Sequence, residues 1–188
     1  FCDLRDLAET ETTIFKLSRK FKKIDGFIHC AGINQCVQSE KISLEDWQKV
    51  LNVNLSSAFV ISKGVKTNLK KSKNPSIIFF SSIAGHRKSI VSGVHYVSSK
   101  AGLIGMAKQL SHELGKFGIR VNCISPSQTF TKMLKKSMNK KQIKNLVKTI
   151  PLQRLSSIKD QSNGAIFLLS SLSKYISGTS LNIDGGQI

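Results

Sequence analysis

The sequence predicts an α/β protein whose strands form one parallel, doubly wound sheet between two layers of helices. Two observations support this fold class. Short apolar runs rich in β-branched and aromatic residues recur along the 188 residues, and segments with helical periodicity separate them. This alternation favours a parallel sheet, because neighbouring parallel strands need a crossover between them, which is usually a helix.

Four segments have the composition of strands. The run Ser76-Ile77-Ile78-Phe79-Phe80 is apolar after its first residue, as expected for a strand buried on both faces. The predicted strands are residues 26–30, 76–80, 120–124 and 180–183. Ser82 follows the second of them, at the end of the sheet where open α/β proteins bind ligands.

One predicted helix begins near Leu44, where Ser43 and Asp46 occupy capping-box positions. Asn54 lies inside this helix, although asparagine is a poor residue for a helix interior. Its position suggests either a functional side chain or an asparagine that is merely tolerated on a polar face.

A second helix is predicted between Tyr96 and Phe117, where apolar residues recur with a helical period, and Gly118 supplies its stop. Tyr96 and Lys100 are four residues apart, so their side chains share one face. Because a nearby cation stabilises a phenolate, we expect Lys100 to lower the pKa of Tyr96. Such a tyrosine suits proton transfer, which typically contributes about 10²–10⁴ in rate. The alternative is an ordinary helix face, since this spacing is common.

Four residues in order, Asn54, Ser82, Tyr96 and Lys100, resemble the catalytic tetrad of the short-chain dehydrogenase/reductase family. Further motifs of this family are matched by Cys30-Ala31-Gly32, by Asn52-Val53-Asn54, by residues 119–126 and by residues 178–186. The pattern is most similar to β-ketoacyl-acyl-carrier-protein reductases. The resemblance therefore covers nearly the whole chain.

The resemblance implies a Rossmann-like domain that transfers a hydride between a nicotinamide cofactor and a carbonyl or secondary alcohol, with 3-oxoacyl thioesters as the first choice of substrate. Ser82 would bind the carbonyl oxygen, and Tyr96 would deliver the proton. Lys100 would hold the nicotinamide ribose, and Asn54 would anchor a water molecule of a proton relay.

The cofactor implied by the resemblance is NADP or NAD, with NADP slightly favoured. The residues that would contact it are Asp3, Leu4, Cys30, Ala31, Gly32, Val53, Tyr96, Lys100, Pro126, Thr129 and Thr131. For Thr131 a helix N-cap is the alternative role. No metal ligand set is expected.

Three positions depart from the family pattern. Ser127 stands where glycine usually follows the proline, and Cys30 replaces an asparagine that braces the central strands. The interval from Ser82 to Tyr96 is one residue longer than usual, so we expect a bulge between Gly85 and His95. None of these changes removes a catalytic group.

The beginning of the chain, Phe1-Cys2-Asp3-Leu4, resembles the end of the family's third strand. No segment matches the Gly-rich loop that holds the pyrophosphate or the residue that selects between the two cofactors. We therefore expect a single domain, residues 1–188, that lacks about two strand–helix units of roughly 30 residues each. We also expect this chain alone to bind the cofactor poorly.

The chain is strongly basic, with 29 Lys and Arg against 11 Asp and Glu and a formal charge of +18. Part of this excess forms a stripe in the segment that resembles the family's substrate lid: Lys132, Lys135, Lys136, Lys140, Lys141, Lys144 and Lys148. Apolar residues of the same segment would cover the pocket: Met133, Ile143, Leu146, Val147 and Ile150. The stripe is either a solvated surface or a site for an acidic acyl carrier protein or a coenzyme A phosphate.

The four cysteines lack the spacing of a metal site, which favours a reducing, cytoplasmic setting. Cys30 and Cys123 lie in strand-like contexts and are expected to be buried. The four histidines, His29, His86, His95 and His112, are expected to have packing or surface roles.

Two other classes of function stay open at this stage. One is a non-catalytic or regulatory member of the family, and the other is a basic module that binds an anionic partner. We expect no nucleic-acid or membrane partner, and we expect a homotetramer for the full-length protein by analogy with the family.

Overall fold

A computed structural model describes residues 1–131, 134 and 139–188 of the chain. Its helices are α1 (Leu7–Lys20), α2 (Leu44–Leu51), α3 (Ser57–Leu69), α4 (Val94–Gly115), α5 (Lys140–Lys148) and α6 (Ile158–Leu169). Its strands are β1 (Gly26–His29), β2 (Ser76–Phe80), β3 (Arg120–Pro126) and β4 (Ser180–Ile183). All four predicted strands are present, although β1 is one residue shorter and β3 two residues longer than predicted.

The strands form one parallel sheet in the order β1-β2-β3-β4. Side chains of β2 and β3 alternate between its two faces. Ile77 and Phe79 pack with α3 and α4 on one face, whereas Ile78 and Ile124 pack with α6 on the other. The predicted doubly wound, three-layer fold is therefore confirmed.

The helix that begins after Ser43 is interrupted by a π-helical turn, Asn52–Ser56, which joins α2 to α3. Ser43 accepts a hydrogen bond from the backbone amide of Asp46 at 3.0 Å, so the predicted N-terminal cap is confirmed. Such turns are rare and are frequent at functional sites. Here the turn carries Asn54, whose side chain is fully buried.

Helix α5 carries the described part of the lysine stripe. Lys140, Lys144 and Lys148 are exposed, while Ile150, just beyond the helix, is buried. The helix is therefore amphipathic, as predicted. Lys132, Met133, Lys135 and Lys136 lie outside the described residues. Among the helices of the described part, none is both long enough and apolar enough to cross a bilayer.

Two glycines of this fold have opposite surroundings. A Cβ atom at Gly85 would lie 2.9 Å from the backbone carbon and oxygen of Lys100, so the turn after β2 rests directly on α4. A Cβ atom at Gly105 would have no heavy atom of the described residues within 4 Å. Gly105 therefore packs against no other part of the described chain.

We expect Gly85→Ala to lower the free energy of unfolding by about 1–3 kcal/mol, because backbone atoms cannot move aside without distorting the core. Gly105→Ala should raise it by about 0.5–1 kcal/mol, since alanine is the better residue in an exposed helix interior. Urea unfolding followed by circular dichroism measures both. A Gly85→Ala protein as stable as the Gly105→Ala protein would contradict the predicted contact.

Candidate active site

The candidate site lies at the carboxyl ends of β1 and β2. Ser82 follows β2 and begins a short 3₁₀ turn, Ile83–Gly85, and its hydroxyl oxygen accepts a hydrogen bond from the amide of Ala84 at 3.1 Å. The hydroxyl proton of Ser82 remains able to donate. This edge of the sheet is where the sequence placed the ligand site.

Lys100 is the charged group at the centre of the site, and only 4% of its surface is exposed. Its Nζ donates a hydrogen bond of 2.7 Å to the carbonyl oxygen of Phe80, the last residue of β2. Burial lowers the pKa of Lys100 from 10.5 to about 8, and interactions with the Cys30 and Cys123 thiols partly oppose that shift. Helix α4 therefore delivers an ammonium that releases its proton unusually easily.

Tyr96 lies one turn before Lys100, and the Lys100 Nζ is 5.5 Å from the centroid of its ring. Burial raises the pKa of Tyr96 above its usual value of 10, and a hydrogen bond with Ser82 opposes this shift in part. The expectation that Lys100 lowers the pKa of Tyr96 is therefore wrong. The Lys100 ammonium donates its hydrogen bond to the Phe80 carbonyl, and loss of water around the phenol outweighs the hydrogen bond with Ser82.

Asn54 joins the site to the loop that follows β1. Its Oδ1 accepts a hydrogen bond from the amide of Ile33 at 2.8 Å, and its Nδ2 donates to the Ile33 carbonyl and to Ser99 Oγ, each at 3.0 Å. The polar-face alternative is excluded, because the side chain is fully buried and uses both amide atoms. Its role in a water relay stays a prediction.

Gly32 is the closest approach of this loop to the buried cation. A Cβ atom there would lie 3.3 Å from Lys100 Nζ and 3.6 Å from Asn54 Oδ1. The motif Cys30-Ala31-Gly32 thus lies beside Lys100. Cys30 is exposed, so its predicted burial is wrong, while Cys123 is buried as predicted.

Sequence reasoning missed some residues that hold the site in place. Ser81, one position before Ser82, donates a hydrogen bond of 2.8 Å to the backbone carbonyl of Lys100. The only signal for Ser81 in the sequence is its position beside Ser82. The predicted catalytic residues Ser82, Tyr96, Lys100 and Asn54 are thereby linked through direct contacts and one shared loop.

Other residues predicted to bind the cofactor lie at and after the end of β3 or in the π-helical turn. Pro126 ends β3, and Thr129 donates a hydrogen bond to the Ser127 carbonyl at 3.2 Å. Thr131 Oγ1 accepts one from the Leu134 amide at 3.3 Å, which is the capping contact considered as its alternative role. Val53 is buried beside Asn54 in the π-helical turn.

Asp3 and Leu4 lie before α1, where the resemblance places the adenine. The carboxylate of Asp3 accepts a hydrogen bond from Arg5 Nε at 2.8 Å, and this bond is the main reason why the pKa of Asp3 falls to about 2. Leu4 packs against the core. Asp3 is therefore a carboxylate at neutral pH, with lone pairs left to accept from a ligand.

The residues around Lys100 suit the ribose and nicotinamide side of a dinucleotide. An ammonium has three donors, and within the described part of the chain Lys100 Nζ donates one hydrogen bond, to Phe80. The backbone at Gly32 has no side chain that would obstruct an approach to Nζ. Lys100, Gly32 and Val53 would form that part of the site.

A family model described as enoyl-(acyl carrier protein) reductase matches residues 1–187. An uncharacterized short-chain type dehydrogenase/reductase of Sinorhizobium fredii is 33% identical over 188 residues, covering 100% of this chain and 74% of that protein. The 3-oxoacyl-[acyl-carrier-protein] reductase of Chlamydia trachomatis is 37% identical over 168 residues, covering 89% of this chain and 67% of the relative.

The fold is also similar to solved structures. One is a proposed NAD(P)-dependent gluconate 5-dehydrogenase of Beutenbergia cavernae, with bound NADP at low occupancy. The two chains superimpose with a TM-score of 0.91 and 26% identity, over 99% of this chain and 74% of that one. The names of the Chlamydia trachomatis and Beutenbergia cavernae proteins refer to different substrates.

The buried side chain of His29, at the end of β1, makes the free energy of unfolding depend on pH. It is buried, and its Nε2 lies 2.9 Å from Ser57 Oγ. Burial, and then the charge of Lys100, lowers the pKa of His29 from 6.5 to about 4. Between these pH values the unfolded chain binds a proton that the folded chain does not bind, so stability decreases as the pH falls.

We expect the free energy of unfolding to lose about 3 kcal/mol through His29 between pH 6.5 and pH 4. Denaturant titrations at several pH values measure this loss. His29→Asn should flatten the curve, whereas the control His112→Asn, which removes an exposed histidine of α4, should not. Parallel curves for all three proteins would contradict the buried, neutral state of His29.

Proposed function

The chain belongs to the short-chain dehydrogenase/reductase family, whose members are generally NAD(P)-dependent oxidoreductases, and we propose that it reversibly reduces a carbonyl to a secondary alcohol. The observation that carries this proposal is the position of Lys100. Its buried ammonium lies beside the ring of Tyr96 and against Gly32, at the carboxyl end of β2.

In this proposal Ser82 and Tyr96 act on the carbonyl oxygen. When bound, a reduced nicotinamide supplies the hydride to the carbonyl carbon. The hydroxyl of Ser82 donates a hydrogen bond to the oxygen as negative charge develops there. Tyr96 donates the proton, and its raised pKa supports this role because the phenol carries that proton at neutral pH.

Lys100 restores the proton that Tyr96 has given up. An ammonium with a pKa of about 8 is a stronger acid than the buried phenol, so proton transfer from Lys100 to the phenolate is favourable. This proton donation by Lys100 replaces the role predicted from the sequence, in which Lys100 lowers the pKa of Tyr96.

The cofactor is proposed to be NADP or NAD. Lys100 would bind its ribose, the loop of Cys30, Ala31 and Gly32 would line its path, and Asp3 would meet the adenine. The NADP in the Beutenbergia cavernae structure supports a nicotinamide dinucleotide without deciding between the two forms.

The substrate is proposed to be a 3-oxoacyl thioester carried by an acidic protein or by coenzyme A. Similarity to the Chlamydia trachomatis reductase supports this class, as does the exposed lysine face of α5. An acidic carrier would be attracted to that face, and its binding would weaken with added salt.

Exposed free thiols at Cys30 and Cys36 support a reducing, cytoplasmic setting, and a homotetramer is proposed by analogy with the family.

In the full-length protein, we expect Tyr96→Phe to lower turnover by about 10²–10⁴, because the proton donor is lost while the ring remains. Cofactor binding should change little. Loss of nicotinamide absorbance with a panel of carbonyl substrates measures turnover, and fluorescence titration measures binding. Tyr175→Phe alters the other tyrosine of the chain, which is fully exposed, and serves as the control. Turnover by Tyr96→Phe equal to that of the control would contradict the proposed function.

Charge reversal on α5 tests the proposed substrate class. We expect Lys144→Glu combined with Lys148→Glu to raise the KM for a carrier-linked substrate at least about tenfold at low salt, because attraction becomes repulsion. The KM for a small free ketone should be unchanged. Lys22→Glu, which reverses an exposed charge before β1, is the matched control. Equal effects on both substrates would remove the carrier proposal and leave the carbonyl chemistry intact.

A further inference from the structure

His95 directly precedes Tyr96 and is completely buried. Both of its ring nitrogens are engaged. The backbone amide of Tyr96 donates a hydrogen bond of 2.9 Å to Nδ1, and Nε2 lies 3.2 Å from Oε1 of Gln35. Because Nδ1 accepts, the ring proton is on Nε2, which then donates to the Gln35 carbonyl oxygen.

Further polar contacts connect the Gln35 side chain to the start of α2. Its Nε2 is 3.5 Å from Oδ1 of Asp46, in the first turn of α2. The other carboxylate oxygen of Asp46 accepts a hydrogen bond of 2.9 Å from the N-cap Ser43. A chain of polar contacts thus runs from the N-terminus of α2, through the loop after β1, to the amide of Tyr96.

A second set of contacts joins the same two segments. The amide of Gly93 donates a hydrogen bond of 2.9 Å to the backbone carbonyl of Gln35. A Cβ atom at Gly93 would lie 2.5 Å from His95 Cε1 and 2.8 Å from that carbonyl oxygen. Asn34 Nδ2 donates to the Val91 carbonyl at 3.2 Å. These hydrogen bonds hold the loop after β1 and the start of α4 together around the imidazole of His95, an arrangement called the clasp below.

This clasp bears on the candidate site because the same loop holds Asn54 and Lys100. Ile33 binds the Asn54 side chain through its amide and carbonyl, and Gly32 lies against Lys100 Nζ. A shift of Tyr96 relative to this loop would alter the position of its phenol relative to the ammonium. Displacements of about 1 Å can cost on the order of 100-fold in rate.

We propose that His95 is a positioning residue, which fixes Tyr96 relative to Lys100 and the loop after β1 through its two hydrogen bonds. The proposal rests on the proposed function, in which Tyr96 is the proton donor. Sequence analysis gave His95 only a packing or surface role, and packing is the explanation that an experiment must separate from positioning.

Two substitutions separate hydrogen bonding from packing. His95→Asn shortens the side chain but keeps an acceptor for the Tyr96 amide, whereas His95→Phe keeps a ring and removes both polar contacts. We expect His95→Phe to lower kcat about 10- to 100-fold, with the KM for the carbonyl substrate within about twofold, since only the placement of the proton donor changes. His95→Asn should recover at least half of the lost kcat on a logarithmic scale.

His112→Ala, which removes an exposed histidine from the same helix, is the control and should match the wild type. A packing role predicts the reverse order, with His95→Phe more active than His95→Asn, and that order would overturn the proposal. Unchanged kcat in a folded His95→Phe protein would also overturn it. If His95→Phe fails to fold, Gln35→Leu is the second test, because it removes the hydrogen bond to His95 Nε2 at a half-buried position. Gln35→Leu should also lower kcat. An unchanged kcat in Gln35→Leu would overturn the proposal.

Nuclear magnetic resonance distinguishes this proposal from the function on which it rests. The ¹⁵N shifts of the His95 ring should show a proton on Nε2, and a proton on Nδ1 would overturn the proposal. If the wild type reduces no carbonyl, the proposed function fails. The resonances of the Tyr96 amide and ring still report the position of Tyr96 in that case. They should shift in His95→Phe and not in His112→Ala, and unshifted resonances would overturn the positioning role.

Discussion

The burial of one ammonium group, that of Lys100, organises this end of the sheet. Removing a charge from water is costly unless it is hydrogen-bonded, and that cost appears here as a lysine pKa of about 8. The Phe80 carbonyl, at the end of the central strand β2, compensates part of the cost. The ammonium, the phenol of Tyr96 and the turn that carries Ser82 are therefore held close to one another.

Other unusual features of the fold follow from this arrangement. The π-helical turn directs Asn54 into the interior, where its amide binds the loop that contacts Lys100. Gly32 and Gly85 lie where a side chain would press on Lys100 itself. The charge also helps to keep His29 neutral. A π-helical turn and small residues thus surround the cation, as is common near functional sites.

Much of the fold was predictable because strand-like and helical segments alternate, β2 is a short apolar run, and two helices have clear end signals, Ser43 and Gly118. The position of Tyr96 and Lys100 on one helix face was predictable from their spacing, whereas their proposed role came from the resemblance to the family. The pKa of Tyr96 was not predictable, because burial depends on residues distant in the sequence and outweighs the hydrogen bond with Ser82. The exposure of Cys30 and the contact between His95 and Gln35, 60 positions apart, depend on how loops pack, which periodicity does not encode.

The most direct test is a titration of Lys100 followed by nuclear magnetic resonance of ¹³C-labelled lysine side chains, with its signal assigned by Lys100→Arg. Of the 24 lysines, Lys100 should lose its proton near pH 8, more than two pH units below the usual value of 10.5. A Lys100 signal that titrates near 10.5 would show an ammonium in water, and the proton-transfer site described above would then be wrong.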